Sequence, residues 1–125
     1  MLLNHVSVGV TDLQRAVAFY DAVFAALNVQ RSHLIEGVAA AYGSEFEFWL
    51  NAVSDKPQMT AVGSHFAFNA SSQQTVTAFY HTAIARGARC NGKPGIRAEY
   101  GEHYFAAYVI DPDGNRLEAV CLVAE

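Results

Sequence analysis

His5 and His65 lie sixty residues apart in a chain of 125, and each opens a short alternating stretch. Val6, Val8 and Val10 alternate with His5, Ser7 and Gly9, while Phe66 and Phe68 alternate with His65 and Ala67. Both imidazoles therefore project away from the bulky face of a strand, beside small neighbours that leave room. Two imidazoles at a common centre need one or two oxygen donors to hold a metal. Glu47, in Glu45-Phe46-Glu47-Phe48-Trp49-Leu50, and Glu118, in Arg116-Leu117-Glu118-Ala119-Val120, are the carboxylates placed to supply them. Two histidines and two carboxylates, with water in the remaining positions, suit an octahedral divalent ion such as Ni, Co, Zn, Mn or Fe. A single histidine at a strand start is more often an ordinary hydrogen-bonded residue. The coincidence of two at equivalent places is what favours ligation, and Glu118, among apolar neighbours, would be costly to bury unpaired. Glu45 shares the face of Glu47, so the choice between those two stays open. His33, His81 and His103 have no counterpart at the same offset; the first two read as exposed, and His103, which precedes a strand, is a candidate to line a cavity mouth.

The elements that must position these residues repeat with them. At the 60-residue offset, Ala18-Phe19-Tyr20 falls on Ala78-Phe79-Tyr80, and Thr11-x-x-Gln14 falls near Ser71-x-x-Gln74, each hydroxyl placed to cap a helix. The helices carry apolar residues at Leu13, Val17, Tyr20, Val23, Phe24 and Leu27, and at Val76, Phe79, Tyr80 and Ile84, which gives each one buried face. Strands are expected around 29–35, 37–42 and 45–50 in the first half, and at 104–110 and 116–123 in the second. The segment 89–102 reads as mostly loop, with room for one strand. Gly43-Ser44 and Asp111-Pro112-Asp113-Gly114-Asn115 supply the turns. The chain thus reads as one domain, 1–125, of two β-α-β-β-β repeats, about 1–56 and 62–125, joined near Lys56-Pro57.

Composition narrows the function classes. Eight Lys and Arg against twelve Asp and Glu leave a net charge of −4, which offers no basic stripe for nucleic acid. No apolar run approaches the roughly 20 residues of a spanning helix, and the amino terminus lacks the basic region of a secretion signal. Cys90 and Cys121 form no Cys-x-x-Cys pair or disulfide framework, so a reducing cytoplasmic location is expected.

Asn4-His5-Val6, the helix start Asp12-Leu13-Gln14-Arg15-Ala16-Val17-Ala18-Phe19-Tyr20, His65-Phe66-Ala67-Phe68, and Asp111-Pro112-Asp113-Gly114-Asn115-Arg116-Leu117-Glu118 together resemble the vicinal oxygen chelate superfamily. That superfamily includes glyoxalase I, fosfomycin resistance proteins, extradiol dioxygenases and bleomycin resistance proteins. The resemblance spans nearly the whole chain. It implies an α+β fold in which two tandem β-α-β-β-β modules form an open, U-shaped mixed β-barrel with the helices outside. It also implies a divalent metal held by His5, Glu47, His65 and Glu118 as in glyoxalases, or by His5, His65 and Glu118 as in fosfomycin transferases and extradiol dioxygenases. The activity implied is that of a glyoxalase-like lyase or isomerase: a small substrate, such as a thiol conjugate, chelates the metal through two oxygens and an enediolate is stabilised. Glu118 would be the mobile base and Glu47 the partner that returns the proton, or the reverse. Trp49, His103 and Tyr104 are candidates for a substrate-binding wall. The resemblance also implies a homodimer, with His5 and His65 serving one cavity within a chain or two cavities between chains. The alternatives are a drug-sequestering protein of the bleomycin resistance kind and, third, an Fe(II) extradiol-type dioxygenase. Among the two lysines and six arginines, the sequence singles out no cationic clamp.

Overall fold

A computed structural model describes residues 2–54 and 63–124; the expected join at Lys56-Pro57 lies outside them. Alternation forms β1 (Val6–Val10), and a helical apolar stripe forms α1 (Leu13–Ala26). Three strands follow: β2 (Arg31–Ile35), β3 (Ala39–Tyr42) and β4 (Phe48–Ala52). The second module repeats the order with β5 (Phe66–Asn69), α2 (Gln73–Ala85), β6 (Arg89–Ile96), β7 (Phe105–Ile110) and β8 (Arg116–Cys121).

Each module makes one four-stranded mixed sheet, in the orders β1-β4-β3-β2 and β5-β8-β7-β6. The first strand of each module runs parallel to the last, and the other neighbours are antiparallel. The helices α1 and α2 pack on each other and each covers one face of its own sheet. Between them lies an aromatic core in which Phe24 meets Phe68 at 4.9 Å between ring centroids and Phe48 meets Phe68 at 5.2 Å. The opposite faces, where His5 and His65 project, are left uncovered. The sheets remain two separate sheets, so the expected tandem-module architecture is present without a closed barrel.

Both helices start one residue later than the hydroxyl pattern suggests. Asp12, not Thr11, caps α1 by accepting from Arg15 N–H at 3.0 Å. Ser72, not Ser71, caps α2 by accepting from Thr75 N–H at 3.1 Å. Thr11 is otherwise engaged: its backbone N–H and its hydroxyl both donate to Asp113 Oδ1, at 3.1 and 2.8 Å, and so tie the modules together. Asp12→Ala is expected to lower the unfolding free energy by about 1 kcal/mol, as read by urea denaturation. The strand shifts are of the same kind. The expected strand at 45–50 begins only at Phe48 because residues 43–47 are taken up by a turn, and 89–96 is an edge strand whose pairing shifts at Gly92 and Gly95.

Candidate functional site

In the second module, alternation along β7 sends Phe105, Ala107 and Val109 toward α2 and leaves Tyr104, Ala106 and Tyr108 on the uncovered face. Tyr108 pairs across the ladder with Glu118, and Glu118 pairs with Ala67, two residues beyond His65. Register therefore brings these side chains to one spot. The His65 Nε2–H donates to Glu118 Oε1 at 2.9 Å, and the Tyr104 hydroxyl donates to Glu118 Oε2 at 2.6 Å. Glu118 is only 2% exposed, so the two bonds replace the water it has lost. The Tyr104 phenol is held well above the usual tyrosine range, first by the hydrogen bond to Glu118 and then by burial. His65, Tyr100, Tyr104, Tyr108 and Glu118 line a cavity of about 300 Å³.

The first module presents a different surface. His5 Nδ1 lies 2.6 Å from Asn4 Oδ1, and its ring meets Phe46 and Trp49 edge-on at 6.3 and 6.5 Å. His33, expected to be merely exposed, is exposed but stacks on Trp49 at 5.9 Å. Glu47 is exposed and precedes β4. Its Oε1 accepts from the N–H groups of Glu45 and Phe46, at 2.8 and 2.9 Å, in a turn where a side chain at Gly43 would collide with the carboxylate. Those two N–H groups hold the Glu47 carboxyl below the ordinary range. His103 is exposed and faces Glu102 at 3.8 Å.

Register decides which residue of the first module corresponds to Glu118. Val6 pairs with Phe48 and Ser7 with Trp49; Phe66 pairs with Leu117 and Ala67 with Glu118. At the 60-residue offset that relates β1 to β5, Trp49 therefore occupies the place of Glu118, and Glu47 stands opposite His5 itself. Of the four sequence-derived ligands, one chain brings two together, His65 and Glu118. Among the described residues no group of three or more His, Cys, Asp or Glu side chains gathers as a metal cluster. The imidazole and carboxylate are nonetheless the donor types that suit a borderline divalent ion, and their atoms already converge at an open cavity. A larger hollow of about 710 Å³, bounded by Thr11, Asp12, Leu34 and Glu36, carries no imidazole on its wall. Asp12 is spent there on capping α1.

Sequence reasoning missed Arg97. Its backbone N–H donates to Tyr104 O, which places it on the row beside Tyr104, and its guanidinium rests 5.3 Å from the centre of the Tyr108 ring.

Comparison with known proteins accords with this architecture. The model of the Glyoxalase/Bleomycin resistance protein/Dioxygenase superfamily matches residues 2–119. A metallothiol transferase, FosB, of Shouchella clausii (strain KSM-K16) is 28% identical over 120 residues, covering 93% of this chain and 77% of the relative. The crystal structure of a glyoxalase/bleomycin resistance protein from Albidiferax ferrireducens T118 superposes with a TM-score of 0.84 at 31% identity, covering 97% of this chain and 99% of that one. A genomically encoded fosfomycin resistance protein, FosX, from Listeria monocytogenes shares the fold at a TM-score of 0.70 and 17% identity, covering 97% and 93%.

Proposed function

The chain belongs to the Glyoxalase/Bleomycin resistance protein/Dioxygenase superfamily, and within it we propose a divalent-metal-dependent enzyme acting on a small substrate that presents two adjacent oxygens. The observation that carries this reading is the His65–Glu118 pair, held at 2.9 Å on the floor of a tyrosine-lined cavity. His65 and Glu118 would hold the ion from one chain. His5 is exposed on the sister sheet and fits as the third ligand, contributed by a second copy of the chain in a homodimer. Trp49 in the position related to Glu118 favours this three-ligand set over one that includes Glu47.

When bound, the ion would act as a Lewis acid that lowers the cost of negative charge on the substrate oxygens. The chain's own groups do the rest. Glu118 Oε1 is the base nearest the cavity floor, and Tyr104 holds Oε2 so that this carboxylate presents one defined oxygen. Trp49 and the rings around it, beside His5 on the first module, would be brought with His5 by the second copy as a wall against which the substrate excludes water. In this reading the reaction is a proton transfer next to a carbonyl, of the lyase or isomerase type. The half-buried Trp49 with the exposed His33, Phe46 and His5 around it also favours a second reading, sequestration of an aromatic compound without turnover.

One experiment separates these readings. Protein titrated with Mn(II), Ni(II), Co(II) or Zn(II) is expected to take up one ion per chain. His5→Ala and His65→Ala should each lose that uptake, and an equal mixture of the two variants should regain part of it through mixed dimers. Retention of full uptake by His5→Ala would remove the shared site, and ligand binding that survives chelation would favour sequestration. Where metal binds, glutathione with methylglyoxal, followed by thioester absorbance, tests the glyoxalase reaction itself.

A further inference from the structure

The uncovered face of the second sheet carries a cation that the metal site does not use. Arg97 pairs with Tyr104 at the end of the ladder, and two glycines let its side chain fold back along β6. A Cβ at Gly95 would lie 3.0 Å from Arg97 Nη1, and one at Gly92 would lie 2.7 Å from Tyr108 Cδ1 and 3.3 Å from Arg97 Nη2. Both glycines also mark the places where the pairing of β6 with β7 slips, so the edge strand bends around the guanidinium. Arg97 Nη2 donates to Lys93 O, and the plane rests against Tyr108. Among the described residues no carboxylate lies within ion-pair distance of Arg97. The result is a half-buried guanidinium, fixed by a carbonyl and a ring, one residue row from Glu118 and without an acidic partner.

We propose that Arg97 is the anchor for a carboxylate on the substrate, set a short carbon chain away from the oxygens that chelate the metal. This rests on the metal-enzyme reading above and deepens it by naming a substrate class. Guanidinium and carboxylate match as planar partners, and a guanidinium already immobilised on a ring loses little freedom when it binds. The distance is short because only Tyr108 intervenes. Its cross-strand neighbour Glu118 stands about 5 Å away, and Arg97 lies 5.3 Å from the Tyr108 ring centre. Charge sets the valence. The face already holds the Glu118 carboxylate and offers one guanidinium in return, which suits a monoanion better than a doubly charged phosphoryl group. The chain's net charge of −4 repels anions at long range, so an acidic substrate needs such a short-range anchor.

The test uses hydroxamates, which chelate metals through two oxygens. Acetohydroxamate, the monohydroxamates of succinate, glutarate and adipate, and their methyl esters are titrated calorimetrically into Mn(II)-supplied protein. At least one free acid is expected to bind about 10- to 100-fold more tightly than its own ester, the range of a charge-assisted hydrogen bond. In Arg97→Met that advantage should fall below about twofold, while acetohydroxamate affinity stays unchanged and shows that the fold and metal site are intact. If acetohydroxamate binds but no free acid exceeds its ester, or if the advantage survives in Arg97→Met, the anchor is wrong and the metal reading stands. If acetohydroxamate shows no metal-dependent binding, the metal reading fails and takes the anchor with it.

Discussion

Glu118→Gln is expected to lower divalent-metal affinity by about 100-fold or more while leaving the fold in place, which separates a ligand from a structural carboxylate. The substitution keeps shape and volume. The amide oxygen can still accept from the Tyr104 hydroxyl, and the amide NH2 can donate to His65 Nε2 once that nitrogen carries no proton, so the polar atoms now satisfied remain satisfied. What is lost is the anionic oxygen. Partners that merely orient a ligand are worth about 10- to 100-fold in affinity, and loss of the ligand itself should reach or exceed the upper end. Titration with Mn(II) or Ni(II), paired with a thermal midpoint, measures both halves. Glu47→Gln is the comparison. Its carboxylate is exposed and engaged by the N–H groups of Glu45 and Phe46, so it should loosen the turn and leave metal affinity within about threefold. Equal losses in the two variants would restore the four-ligand set; unchanged affinity in Glu118→Gln would remove the metal centre from this cavity.

The contrast between Glu118 and Glu47 also shows how far the sequence could be read. The 60-residue repeat placed β1 with β5 and α1 with α2, because those segments start at the same offset and differ by only one residue in length. It did not carry through to the last strands. The longer β6, the longer connection from β6 to β7 and the longer strands of the β7–β8 hairpin widen the offset, so the residue related to Glu118 is Trp49, 69 positions earlier, and not the nearest glutamate. Strand alternation alone cannot reveal this, since Glu47 and Trp49 lie two residues apart and share a nominal face. Arg97 was hidden for another reason. The strand that leads to it, β6, is rich in glycine and proline, which reads as mostly loop, yet the missing side chains are what admit the guanidinium. The Thr11 hydroxyl read as a cap because its true partner, Asp113, is 102 residues away. Contacts of that range leave no local signature.

Asp111→Ala is expected to destabilise the protein by about 3 kcal/mol or more, since each buried donor left without an acceptor costs about 1–3 kcal/mol, against a total of about 5–15 kcal/mol for an ordinary domain. One Asp111 oxygen accepts from the Asp113 and Asn115 N–H groups at 2.9 and 2.8 Å; the other accepts from Asn115 Nδ2 at 3.0 Å and from the buried Tyr20 hydroxyl of α1. The same turn reaches back to Gly9 O through Asn115. Truncation therefore strands donors in both modules at once. Tyr20→Phe removes one charge-assisted bond and should cost about 1.5–3 kcal/mol. The pH dependence gives the sign. Burial first, and then Asp111, raise the Tyr20 hydroxyl well above its ordinary value, so its stabilisation is complete below about pH 10 and is lost as pH rises beyond that. Burial also raises Asp111, despite the bonds that oppose the shift. Stability linked to this group falls with rising pH from about pH 4 up to its folded value and is level above, so it adds nothing to the alkaline slope. Tyr42, raised by burial and by Asp21, contributes an alkaline loss of its own. Wild-type thermal midpoints measured between pH 8 and 11 should therefore drop more steeply than those of Tyr20→Phe, which loses the Tyr20 share and keeps those of other raised tyrosines such as Tyr42, Tyr104 and Tyr108. Parallel curves would mean that the Tyr20–Asp111 bond is not what couples the first helix to the second module.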